Sequence, residues 1–262
     1  MKPRESFQAL LAAIVADEAK AVRLVRTTPR IAQARVGIER LVEEVPHQLY
    51  AGDTALHLAA AALRPLAVAA LIEAGADANA ENRRGATALH YACDARPAGK
   101  TWNPDAQRSV IELLLDAGSD IEHKDKAGAA PLHRAVRARS PQAVRCLLER
   151  GARAGATHGR QRTTCLHIAT LSTGASGTKG ARAEQQEIVQ LLLEFGANRR
   201  ARDARGHLPR IRRSFLERAL TPAQPRAWRR SLRGSARITR APHRQRDGTS
   251  ARAGRGDARR AG

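Results

Sequence analysis

The chain repeats itself, and this limits its folding more than any other feature. A segment recurring at a fixed period is one supersecondary unit that can bury its apolar face only against its neighbours. Four segments align: GDTALHLAA from Gly52, GATALHYAC from Gly85, GAAPLHRAV from Gly128 and RTTCLHIAT from Arg162. Each is followed by a second, VAALIEAGAD from Val68, IELLLDAGSD from Ile111, VRCLLERGAR from Val144 and VQLLLEFGAN from Val189. In both halves small or apolar residues fall at i, i+3 and i+4, as in Leu56, Ala59 and Ala60 or in Ile111, Leu114 and Leu115. That spacing is one face of a helix, so each unit reads as a pair of short amphipathic helices. Gly75, Gly118, Gly151 and Gly196 end the pairs where a C-cap takes the left-handed conformation. Thr54, Thr87 and Thr164 stand where an N-cap oxygen is wanted; Ala130 cannot cap, although Pro131 beside it suits the first helical position.

The T-x-L-H-x-A signature, the LLL-x-x-GA endings, and Asn82 and Asp125 three residues before the next glycine resemble ankyrin repeats, clearly so from about Gly52 to Gly206. The resemblance implies an all-α repeat solenoid: an ankyrin-type stack of helix-turn-helix units with β-hairpin fingers projecting from the junctions. It also implies a non-enzymatic module that binds another protein through the finger tips and the concave helix surface. Upstream, Phe7 to Ile14 and Val22 to Val25 resemble a degenerate N-terminal capping repeat, and Ile38, Leu41, Val42 and Val45 predict one more helix, ending at Pro46. The expected organisation is a cap plus extra helix over 1–51, four repeats over 52–206, a weak C-terminal cap over 207–221 and a disordered Arg-rich tail over 222–262. The cap is weak because Arg210 stands where leucine belongs, leaving Ile211, Phe215 and Leu216 to form a short amphipathic helix.

Spacing locates two insertions. From Leu56 to Leu89 is 33 residues and from Leu132 to Leu166 is 34, but from Leu89 to Leu132 is 43. From histidine to closing glycine is 18 residues in the first and third repeats, against 28 in the second and 29 in the fourth. The surplus therefore lies between the two helices of alternate repeats, in ARPAGKTWNPDAQ (Ala95 to Gln107) and in a run containing STGASGTKG (Ser172 to Gly180). The second run has the glycines and lysine of a phosphate loop, but such a loop needs G-x-x-x-x-G-K-[ST], and here Lys179 precedes Gly180. It reads as an extended inter-helix loop. Trp102, the largest side chain in either insert, reads as an interface anchor or as a pin holding its own loop to the helices.

No catalytic, cofactor or metal site is signalled. His57, His90, His133 and His167 recur once per repeat, but positions one repeat apart are about 10 Å apart, too far to share an ion. The family resemblance implies instead that each bonds to backbone near its turn. Cys93, Cys146 and Cys165 lack C-x-x-C spacing and a base beside them, and read as small core residues of a reducing compartment. The pair Glu43 and Glu44 implies no cleft for acid–base work.

Charge points to the partner. The formal net charge is +21 and the finger positions carry Arg83, Arg84, Lys124, Lys126, Arg160, Arg162, Arg202 and Arg205, interspersed with Glu81, Glu122, Asp125 and Asp203. An acidic protein surface is the expected partner, reached through electrostatic steering, with the chain a monomer. The tail from Pro222 to Gly262 holds twelve Arg against two Asp. It is either an arm that binds nucleic acid through counterion release or the product of a shifted reading frame in a GC-rich gene. No apolar run is long enough to span a bilayer, and Glu5 and Gln8 interrupt the one N-terminal stretch resembling a signal peptide, so a cytoplasmic protein is expected. Arg162 occupies a glycine position, so its hairpin must close differently, through Gly159.

Overall fold

The computed structural model describes residues 3–37, 40–42, 47–95, 102–171 and 182–211. These form an all-α repeat solenoid. Five helix pairs follow one another: α1 (Pro3–Ala16) and α2 (Glu18–Thr27), α3 (Ala55–Ala61) and α4 (Pro65–Glu73), α5 (Ala88–Cys93) and α6 (Pro104–Asp116), α7 (Pro131–Ala138) and α8 (Pro141–Glu149), and α9 (Cys165–Ala169) and α10 (Arg182–Glu194). The first helix of each pair packs on the first helix of the next, α1 on α3 through to α7 on α9, and the second helices likewise from α2 on α4 through to α8 on α10. Two helical layers result. The apolar stripes read from the sequence meet between them, where Leu56, Leu71, Leu89, Ile111, Leu114 and Leu132 are fully buried.

Among the described residues strand is confined to hairpins at the junctions. β1 (Arg40–Val42) pairs antiparallel with β2 (His47–Leu49), and β3 (Thr157–His158) with β4 (Thr163–Thr164). The first of these corrects the sequence reading, which placed a helix across residues 38–45. Between Gly37 and Pro46 there are only eight residues, too few to form a stable helix without strong packing, and four of them are Ile, Leu or Val. The spacing that resembled a helix face is shared by a short run of strand formers. The insert after α5 also departs from a pure loop. From Pro104 onward it is helix, capped by Asn103, whose side chain accepts from the Asp105 and Ala106 N–H groups, so α6 runs 13 residues where α4 and α8 run nine. The run Ser172 to Gly180, the cap residues Phe215 and Leu216, and the tail 222–262 lie outside the described residues.

Histidine joins each repeat to the next. In all four units Nδ1 accepts the N–H of the residue before the helix, from Thr54, Thr87, Ala130 and Thr164 at 3.1 to 3.2 Å. Nε2 then donates to a carbonyl of the following junction, at Ala86, Ala129, Ala156 and His207, over 3.0 to 3.1 Å. One ring thus satisfies a helix N-terminus and a neighbouring hairpin together, as long as it is neutral.

Candidate functional site

The fingers are built by one repeated loop. Asn82, Asp125 and Asp203 open it, and each N–H donates to the carbonyl four residues on. Gly85, Gly128 and Gly206 then close the loop with a bond back to the opening residue, at positive φ. The opening side chain accepts two main-chain N–H groups inside the loop: Oδ1 of Asn82 from Arg84 and Ala86, of Asp125 from Ala127 and Ala129, and of Asp203 from Arg205 and His207. The fourth finger differs where the sequence said it must. Arg162 itself takes φ 50, Gly159 takes φ 55, and the Arg162 N–H bonds to the Gly159 carbonyl at 3.1 Å. Fingers are tied to one another by Arg83 N–H to Ala51 O, Lys126 N–H to Arg84 O and Ala204 N–H to Gln161 O, at 2.8 to 2.9 Å.

All eight finger cations are exposed. Among the described residues, none of Lys124, Lys126, Arg160, Arg162 and Arg205 pairs with a carboxylate. The interspersed acids are otherwise engaged. Glu122 binds Arg153, Glu81 lies 3.3 Å from His123, and Asp203 serves its own loop. Asp125 is buried and bonded by Arg134 at 2.6 Å. Burial works to raise the Asp125 pKa, but the hydrogen bonds from Arg134 and the Ala129 N–H outweigh it and hold the carboxyl below its ordinary range.

Beside the first fingers a groove of about 700 Å³ opens, with Tyr50, Arg84, Lys126, Arg134, Arg137 and His158 among its walls. On its floor Arg134 bridges Asp94 at 2.5 Å and Asp125 at 2.6 Å, and Arg137 adds a bond to Asp94 at 3.0 Å. Burial opposes the Arg134 charge, yet the Asp94 and Asp125 carboxylates raise its pKa above the usual arginine range. Deeper still, buried Asp53 accepts from Tyr91 Oη at 2.7 Å and from Asn82 Nδ2 at 2.8 Å. Arg84 lies over the Tyr50 ring at 4.8 Å and donates to its hydroxyl at 2.7 Å.

Trp102 is half-buried. Its Nε1 donates to Gln107 Oε1 at 2.9 Å, and buried Gln107 donates in turn to Ala92 O and accepts from Ser140 Oγ. The indole is thereby fastened to the start of α6. The three cysteines are buried, and desolvation pushes their pKa values up, Cys146 to about 12, which removes the thiolate a nucleophile would need. Among the described residues no group of three or more His, Cys, Asp or Glu is placed to hold a metal, and no helix is long and apolar enough to cross a membrane.

The family model for ankyrin repeats, in three copies, matches residues 30–101 and 102–203. The chain belongs to the ankyrin repeat family. No individual curated protein matches it. Ankyrin repeats are generally protein–protein interaction modules and typically not enzymes. Against that background, sequence reasoning missed the groove of this ankyrin protein. The residue after each recurring histidine is Leu58, Tyr91, Arg134 and Ile168, and the residue one turn after it is Ala61, Asp94, Arg137 and Leu171. Polar residues at both places in the two middle repeats alone were the available signal. They meet across the repeat interface as the Asp94, Arg134 and Arg137 cluster.

Proposed function

We propose that this ankyrin protein is a monomeric interaction module that binds a protein with an acidic surface. Contact is made through Arg83, Arg84, Lys124, Lys126, Arg160, Arg162, Arg202 and Arg205. One observation carries the reading: the acids between these cations are bonded to arginine, histidine or main chain, whereas Arg84, Lys124, Lys126, Arg160, Arg162, Arg202 and Arg205 have no carboxylate partner among the described residues. An approaching acidic surface meets a field that the chain does not itself neutralise, which speeds encounter and selects against basic partners. Trp102 is assigned to fastening its loop, since its one polar atom is already bonded within the stack. Cytoplasmic location fits the three unpaired cysteines.

Affinity capture with the wild-type chain and with a variant carrying serine at those eight positions tests the reading. Proteins of net negative charge should be recovered by the wild type and lost from the variant. Recovery of nucleic acid instead, unaffected by the finger substitutions and abolished by nuclease, would transfer the function to the basic tail.

A further inference from the structure

Arg84 is fixed in place before any partner arrives. It sits at an exposed finger tip, yet its guanidinium lies 4.8 Å from the Tyr50 ring centre and one N–H is bonded to the Tyr50 hydroxyl at 2.7 Å. A guanidinium held by one of its five N–H groups keeps the others for a ligand, and a side chain already ordered loses less entropy on binding. Its own carbonyl accepts the Lys126 N–H at 2.9 Å, which places a second tip cation on the adjoining finger. Both line the same groove. The groove's two acids are Asp94 and Asp125, and Arg134 and Arg137 hold them. Arg84 therefore has a neutral brace and no carboxylate partner among the described residues. Among the described residues, Arg160, Arg162 and Arg205, further along the row, have no comparable aromatic support.

We propose that Arg84, braced by Tyr50 and flanked by Lys126, is the anchor subsite for a carboxylate side chain on an extended acidic segment of the partner protein. This rests on the acidic-partner reading above and adds where the partner is gripped. A planar guanidinium bonds a carboxylate through two parallel N–H groups, so a preset Arg84 contributes more than a mobile cation of equal charge. The chain's own tail is unsuited to the site, because its twelve Arg against two Asp give it the same sign.

The test uses the full chain and a fluorescein-labelled twelve-residue peptide of alternating Glu and Ala, fitted with a photo-crosslinker. Affinity is read by anisotropy for the wild type, Arg84→Ala, Tyr50→Phe and Arg205→Ala, each checked for an unchanged thermal melt. Arg84→Ala should weaken binding about tenfold, as expected for a lost charge-assisted hydrogen bond. Tyr50→Phe, which keeps the ring and removes the brace, should weaken it about threefold, and Arg205→Ala less than twofold. Cross-links should map to the fingers around residues 50, 84 and 126. Equal losses for Arg84→Ala and Arg205→Ala with no effect of Tyr50→Phe would overturn the anchor while leaving the acidic-partner reading intact. Absence of binding, or cross-links confined to 222–262, would overturn both. Tighter binding of duplex DNA, with the same dependence on Arg84, would give the subsite to a nucleic acid and overturn the proposal.

Discussion

Lowering the pH from 7 to 5 should loosen the stack at its histidines. Nδ1 of His90 and of His133 accepts a helix N-terminal N–H and Nε2 donates to the next junction, so a second proton on either ring breaks the Nδ1 bond and buries a charge. Burial is the main cause that lowers both pKa values to about 4 from an ordinary 6.5. For His90 the Arg134 charge and His123 act in the same direction and Asp125 opposes; for His133, His158 and Lys124 lower it while the Ala156 bond and Glu122 oppose. The folded pKa lies below the unfolded one, so between pH 6.5 and 4 the unfolded chain binds more protons and stability falls as pH falls. Each ring then contributes a loss of about 2 kcal/mol by pH 5 and about 3 kcal/mol by pH 4. The pair together removes about 6 kcal/mol, comparable with the whole stability of a small domain. Asp125, held below 3.8, would lose its contribution only at lower pH and so does not share this window. Urea unfolding followed by far-UV circular dichroism at pH 7.5, 6, 5 and 4 measures the slope. His90→Gln should be less stable at pH 7.5 but lose about 2 kcal/mol less on going to pH 5. A free energy of unfolding that stays constant within about 1 kcal/mol from pH 7 to 5 would refute the reasoning.

Gly128 and Gly118 both sit at positive φ, but a Cβ on Gly128 would lie 2.9 Å from the Gly159 nitrogen, whereas Gly118 has nothing within 4 Å. Thermal melts should therefore show Gly118→Ala costing about 1 kcal/mol and Gly128→Ala about 3 kcal/mol, and equal shifts would show that contact between fingers adds nothing. Arg134→Ala leaves Asp125 buried without its cation and should cost about 3 to 5 kcal/mol in denaturant titrations, a loss that a merely exposed ion pair would not produce. All three thiols should resist an aromatic disulfide reagent at pH 8 in the native protein and react together in urea; fast native labelling of Cys146 would contradict its burial.

The repeat phase was legible because it rests on local rules. Helix faces, capping positions and closing glycines each need only neighbours a few residues away, and the structure places Gly75, Gly118, Gly151 and Gly196 at φ between 84 and 98 as the C-cap reading required. Arg162 was legible as a break in the pattern, since a tight turn constrains its closing residue. The strand over Arg40–Val42 was not, because Ile38, Leu41, Val42 and Val45 satisfy a helical spacing and a strand composition at once. What decides between them is pairing with residues 47–49, which no short window contains. The groove was hidden for a related reason. Asp94 and Arg134 are 40 residues apart and meet only because the first helices of successive pairs stack.

The charge of the finger row illustrates how a local requirement can change the meaning of a composition. Counted along the sequence, Arg202, Asp203 and Arg205 or Lys124, Asp125 and Lys126 look like mixed surface, two cations to each acid. Yet the residue that opens each loop must accept two main-chain N–H groups, which turns its oxygen inward whether it is Asn82, Asp125 or Asp203. An acid in that position is spent on the turn and, for Asp125, on Arg134 as well. The tip cations are exposed; Arg84 bonds the neutral Tyr50 hydroxyl and Arg202 the Gly206 carbonyl. The loop geometry therefore separates the two signs, leaving cations at the tips and their counter-charges beneath. The fold thus adds to the excess of basic residues in the fingers, because it sets the loop-opening acids beneath the exposed cations.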